Sequence, residues 1–422
     1  MRDYVSMFNQ IVEIMRNDYG GKDEKIGWDN PEIFLDQIIN LLTSNQLHDE
    51  GFYSIVDDYL SDFKDGHLIW LANGGPIKNC GFRVRRYKNS LYVIDVLTEE
   101  SNVKKGWQII EINGKNIELL GKDNIRKLKS DVLERQKWNS LISSANTVTF
   151  QLNNGEKLYY DVHNYKFKRR ESKYEMKNLN DKILYMCFED FANPDAILKL
   201  MTKNRKAMEQ TPNWIIDVRN NGGGSDDAYY PLLPYLFSKG EKRKSEDLFY
   251  LMTERNCDTR VELLKAYSAN WESKEDVEKY IKLMETNRGK GFVKIDSTLD
   301  SIMQSFNKTT VNPKHVIVIT DTYCGSSGDQ FIYDVKQASK VTVMGRPTAG
   351  VLDYSNLTSI KIDEVFQLMY PTSKMASVMK KQFTYNGIEP DIYIPWTPEH
   401  IEKDLDLEEA LKILDRLNEI VV

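Results

Sequence analysis

One stretch constrains the fold more than any other: Val316-Ile317-Val318-Ile319-Thr320-Asp321-Thr322-Tyr323-Cys324-Gly325-Ser326-Ser327-Gly328-Asp329-Gln330-Phe331. A short apolar run rich in β-branched residues reads as a buried strand. The small-residue turn after it leads into a helix expected from Gly328 to Ala338. The same alternation surrounds it. Ile183 to Phe188 reads as a strand, Asn193-Pro194-Asp195 as a helix start, and Trp214 to Val218 and Val341 to Met344 as further strands. Ile197, Leu198, Met201 and Met208 supply the apolar stripe of the helix between them. Strands alternating with helices imply an α/β unit with a largely parallel sheet. It is expected over residues 166–422, closed by a last helix capped by Asp406 with Glu409 three residues on.

At 422 residues the chain exceeds what one core organises, so further domains are expected. Residues 1–76 read as a helical N-terminal segment. Tyr4, Met7, Phe8, Ile11, Ile14 and Met15 recur at helical spacing, a second helix begins at Pro31 behind Asn30, and a third covers Tyr53 to Phe63. Residues 77–165 change to short strands, including Phe82 to Arg85, Leu91 to Val96, and a strand ending in the turn Asn113-Gly114. Residues 237–290 form a charged insertion with helical periodicity.

A net charge of −6 with no long basic block argues against a nucleic-acid partner. No apolar run is long enough to span a bilayer, and the N-terminus lacks the apolar core of a signal peptide. A cytoplasmic location, or a trimmed secreted chain, is the expectation. Cys80, Cys187, Cys257 and Cys324 form no CxxC pair, and the five histidines show no metal-ligand spacing. No metal or cofactor is expected.

Two segments can carry chemistry. Ser326 sits on the sharp strand-to-helix turn, where free amides at the helix start share its space. This suits a nucleophile beside an oxyanion hole, and equally a serine that caps a helix. The second segment, Asp217-Val218-Arg219-Asn220-Asn221-Gly222-Gly223-Gly224, follows a buried strand. Its glycines let backbone amides approach a ligand, although a flexible turn or a phosphate loop would look the same. Neither GxxxxGK[ST] nor GxGxxG is present.

In order and type, these segments resemble the S41 peptidases, the C-terminal processing and tricorn-type proteases. Gly345-Arg346-Pro347-Thr348-Ala349-Gly350 and Asn386-Gly387-Ile388-Glu389-Pro390-Asp391 match two further family segments. The resemblance implies a protease core of the ClpP/crotonase type, a peptide or protein substrate, and Ser326 as nucleophile, three residues before Asp329. It implies an oxyanion hole from the Ser327 amide and a glycine amide of Gly223 or Gly224. The processing branch uses a lysine where this chain has Val351, so a Ser-Lys mechanism is not expected. Asp65-Gly66-His67 matches the tricorn-like branch, whose base is a histidine. The acid that would orient His67 has no direct counterpart, and Asp353 and Glu389 are the candidates. Residues 77–165 resemble a PDZ domain, with Cys80-Gly81-Phe82 as its peptide-binding loop, so Gly81 and Phe82 are candidate peptide contacts. The reading is a serine endopeptidase working through a Ser326 acyl-enzyme with His67 as base. The alternative is an inactive peptide-binding scaffold of the same fold. An α/β-hydrolase esterase fits poorly, since only His400 follows the serine and Cys324 replaces the first glycine of GxSxG. The oligomeric state is not legible.

Overall fold

The structure is a computed structural model that describes the chain except residues 1, 73–78, 153, 167–170, 268–273, 296–305, 307–311, 379, 381–382, 385 and 421–422. The expected boundary between residues 76 and 77 lies outside the described residues. The chain divides into two compact units. One comprises Met1–Ile77, Glu246–Ser297 and Asp353–Thr384, and the other Lys78–Ser245, Thr298–Leu352 and Tyr385–Val422. The expected divisions run along the sequence, whereas these units are built from chain segments far apart, because long-range strand pairing overrides chain order.

The first unit is organised by the strand Phe366–Met375. One edge pairs antiparallel with Tyr354–Lys361. The other edge is shared by Ile69–Ala72 and Leu248–Met252, and the latter also pairs with Gly291–Lys294. Helices Tyr4–Asn17, Pro31–Thr43 and Asp49–Ser61 pack on the sheet. The first helix buries Tyr4, Met7, Phe8, Ile11, Ile14 and Met15, the stripe its periodicity predicts. Trp70 stacks on Phe366 with ring centroids 5.2 Å apart, joining the four-residue strand Ile69–Ala72 to the central one. Asn30 precedes the second helix but makes no side-chain cap, and the third helix begins four residues earlier than expected, at Asp49. The insertion forms helices Glu254–Tyr267 and Lys274–Asn287.

The second unit holds two sheets. Strands Ile392–Tyr393, Val341–Gly345, His315–Thr320, Asn213–Asp217 and Ile183–Phe188 lie parallel in that order, and Tyr174–Asn180 adds an antiparallel edge. The Asn213–Asp217 strand is buried along its whole length, as a two-sided parallel strand requires. Helix Leu405–Ile420 covers one face through Ala410 and Leu414. Its cap is Asp404, which accepts the Leu407 amide at 3.1 Å, and not Asp406, which is drawn into an ion pair. Residues 82–161 form a separate antiparallel sheet around Phe82, Trp138 and Phe150. In it the Asn113-Gly114 turn has φ of 49° and 73°, the left-handed pair a two-residue hairpin needs. Among the described residues no helix is long and apolar enough to cross a membrane.

Candidate active site

The parallel strand His315–Thr320 ends in the turn that presents Ser326. There the backbone is strained: Ser326 has φ 58° and ψ −122°, a region that side-chain-bearing residues rarely occupy. The turn is held from below. The Asp329 carboxylate accepts the amides of Ser326 at 2.8 Å, Gly350 at 3.0 Å and Val351 at 3.1 Å. Asp329 is fully buried, and burial pushes its carboxyl up while these donors and Thr348 pull it back. The two adjacent serines differ. Ser327 is buried and its hydroxyl donates to the Gly224 carbonyl at 3.0 Å, whereas Ser326 is half-buried. Burial pushes the Cys324 thiol well above its ordinary range, so it stays protonated.

The glycine-rich loop lies directly against this turn. A Cβ on Gly223, whose φ is 95°, would come within 2.5 Å of the Ser326 Cβ and 2.9 Å of the Ser327 nitrogen. Asn221 fastens the loops together: its carbonyl accepts the Gly325 amide at 2.9 Å and its side-chain oxygen accepts the Gly223 amide at 3.0 Å. The Gly223 amide is therefore already used. Among the described residues, the Gly224 and Ser327 amides donate to no backbone carbonyl. The strand ends behind both loops are tied by ion pairs, buried around Asp321 and partly exposed at Arg219. Arg85 grips Asp321 with both nitrogens at 2.8 and 2.9 Å, Arg346 joins Asp321 to Asp406 at 2.7 Å each, and Arg219 pairs with Asp217 and Asp404. The Asp321 carboxyl, though desolvated, is held far below the usual carboxylate range by Arg85 and Arg346.

His67 belongs to the first unit, on the loop before strand Ile69–Ala72. It is 6% exposed. Its amide donates to Asp65 Oδ1 at 2.8 Å, and its ring Nδ1 meets the Tyr354 carbonyl oxygen at 2.6 Å. A carbonyl only accepts, so Nδ1 carries a proton and the neutral ring keeps its lone pair on Nε2.

The family model Peptidase family S41 matches residues 182–394, just over half the chain. The chain belongs to peptidase family S41. It is a serine peptidase with an α/β protease fold. Among curated proteins none matches it in sequence. Mature CPAF complexed with lactacystin superposes with a TM-score of 0.64 at 10% identity, covering 99% of this chain and 98% of that one. An S41 protease assignment from Bacteroides fragilis gives 0.50 at 15% identity, with 97% of each chain covered. At these identities the likeness is one of fold.

In this S41 chain the candidate orienting acids are placed as follows. Asp353 is buried, and its carboxylate accepts the Phe383 amide at 3.1 Å, the Thr384 amide at 2.8 Å and the Thr384 hydroxyl. Burial pushes its carboxyl up, and its contacts fix the 383–384 turn while the His67 ring takes the Tyr354 carbonyl. Glu389 is exposed, and its charge acts on Arg135. The candidate peptide contacts are satisfied internally: the Gly81 amide donates to Asn79 at 2.9 Å, the Phe82 carbonyl accepts from Asn139 at 2.6 Å, and the Phe82 ring is fully buried. Sequence reasoning missed three residues. Asn221 stood inside the quoted motif, but its clamp is a side-chain contact. Arg135 donates to the carbonyls of Pro347, Thr348 and Ala349, and nothing in its charged neighbourhood signals this. Tyr354 acts through its backbone, which no residue type announces.

Proposed function

We propose that the peptidase hydrolyses peptide bonds in peptide or protein substrates through an acyl-enzyme on Ser326, with His67 as general base. His67 Nε2 takes the Ser326 proton as Oγ bonds to the scissile carbonyl carbon. The carbonyl oxygen becomes an oxyanion, received by the amides of Gly224 and Ser327. The oxyanion then collapses, the C–N bond breaks, and the imidazolium gives its proton to the leaving amine. Water, deprotonated by the same ring, releases the acyl group and restores the serine. The Tyr354 carbonyl sets the ring's tautomer, the part an acid plays elsewhere.

The observation that carries this reading is the strained Ser326 turn, whose hydroxyl-bearing carbon faces Gly223 while the neighbouring Ser327 hydroxyl is spent on Gly224. Mass spectrometry of fluorophosphonate-treated protein tests it. The expected result is a single adduct on Ser326, lost in Ser326→Ala. A folded protein that takes no adduct overturns the reading in favour of an inactive scaffold.

A further inference from the structure

Lys25 is a buried cation that the proposed chemistry does not use. It is 5% exposed, in a class of residue that is almost never buried without a partner. Burial lowers its hold on its proton, opposed by the charges of Asp65, Asp353 and Glu24. Its direct ion pair is loose, with Nζ 3.9 Å from Asp65 Oδ2. Its close contact is to a hydroxyl: Nζ donates to Tyr19 Oη at 2.7 Å, and Tyr19 in turn donates to Asp65 Oδ2 at 2.6 Å. The other oxygen of Asp65 accepts the His67 amide at 2.8 Å. The donors run in one direction, from ammonium to hydroxyl to carboxylate, and the carboxylate ends on the backbone of His67.

The same ammonium has a second contact. It lies 4.4 Å from the centre of the Tyr354 ring, within cation–π range. Tyr354 supplies the carbonyl that holds His67 Nδ1. The Tyr19 and Tyr354 rings also pack at 5.6 Å. One buried charge therefore touches both supports of the imidazole, the carboxylate that fixes its backbone and the residue that fixes its ring. Trp28, 5.7 Å from Nζ, covers the ammonium, and Glu24 is paired with Lys374 at 2.6 Å. Lys25 thus remains the countercharge for Asp65 and Asp353.

We propose that Lys25 is a positioning residue for the general base, acting through Tyr19 and Asp65 on one side of His67 and through Tyr354 on the other. This rests on the reading of His67 as base. Without Lys25, Asp65 and Asp353 lose the cation that faces them, and negative charge no longer offset near the ring favours its protonated, inactive form. A residue that only filled space would leave the pH dependence alone.

The test follows the second-order rate of Ser326 capture by a fluorophosphonate as a function of pH, with folding checked by thermal melting. Lys25→Met keeps the apolar stem and removes the charge. It is expected to slow capture by about tenfold to a hundredfold and to move the acid limb up by ~0.5–1 pH unit. Tyr19→Phe keeps the ring and cuts only the relay, so it should show the same changes at smaller size. If Lys25→Met does not fold, Tyr19→Phe decides alone. A folded variant with the wild-type rate and limb overturns the proposal. His67→Ala separates the two readings. Capture that survives it sinks the base assignment and this proposal together. Capture lost in His67→Ala but unchanged in Lys25→Met and Tyr19→Phe sinks this proposal only.

Discussion

The Ser326 turn and the His67 loop are built on opposite plans. The turn is shaped by backbone: a left-handed serine, a glycine with no room for a Cβ, and amides gathered by one buried aspartate three residues on. The His67 loop is shaped by side chains and by a carbonyl 287 residues away. The difference teaches that the strain and free amides of the proposed nucleophile come from a short segment by itself. The orientation of the proposed base is borrowed from distant chain.

The sharpest way to break this comparison is to remove each group in turn. Ser326→Ala and His67→Ala should each cut peptidase activity by about 10⁴-fold or more. Their stabilities should part. Ser326→Ala removes one hydroxyl from a half-exposed site and should leave the melting temperature near wild type. His67→Ala leaves the Tyr354 carbonyl without its donor in a buried site, at a cost of about 1–3 kcal/mol. Equal melting temperatures for the two variants would erase the distinction between the plans.

The second prediction asks whether the turn rests on its ion network. Asp321→Ala leaves Arg85 buried without its carboxylate and Arg346 held by Asp406 alone, and should cost about 3–5 kcal/mol, read by urea unfolding. The pH dependence has a definite sign. The folded carboxyl is held far below its unfolded value of about 4, so its stabilisation is complete above that pH. It is lost progressively as the pH falls below 4. Urea stability measured at pH 7 and pH 3 should therefore differ less in Asp321→Ala than in wild type. An unchanged difference would show that Asp321 contributes nothing to acid sensitivity.

The smallest effect is expected at Asp353. If the ring is oriented by the Tyr354 carbonyl, Asp353→Asn weakens the 383–384 turn and removes one charge facing Lys25, and should lower kcat/KM by less than about tenfold. A loss of several orders of magnitude would make Asp353 the orienting acid and remove the contrast drawn above.

These contrasts also explain what was legible in the sequence. Ser326, Ser327 and Asp329 stand within four residues on a strand-turn-helix pattern, and the first helix declares its buried face through strict periodicity. Within the glycine loop, Gly223 and Gly224 could not be told apart, because the choice depends on which amide Asn221 occupies. Asp406 was misread as a helix cap because Asp404, two residues before it, is the same residue type with a different partner. Lys25 lay between the first helix and Pro31, where the sequence offered no pattern, and its meaning comes from Asp65 and Tyr354, residues that folding brings to it.

The strand that completes the first unit has a consequence for timing. Residues 69–72 pair with 366–369, and the His67 ring is held from residue 354, on the strand paired along the other edge. On the ribosome, residues 1–77 emerge long before those partners exist, with the apolar face of three helices uncovered. Closing so long a loop is slow, and such faces attract chaperones and other chains while they wait. The carbonyl that fixes the proposed base's tautomer does not exist until residue 354 has been made, so the support of His67 is completed late in synthesis, after Ser326 itself.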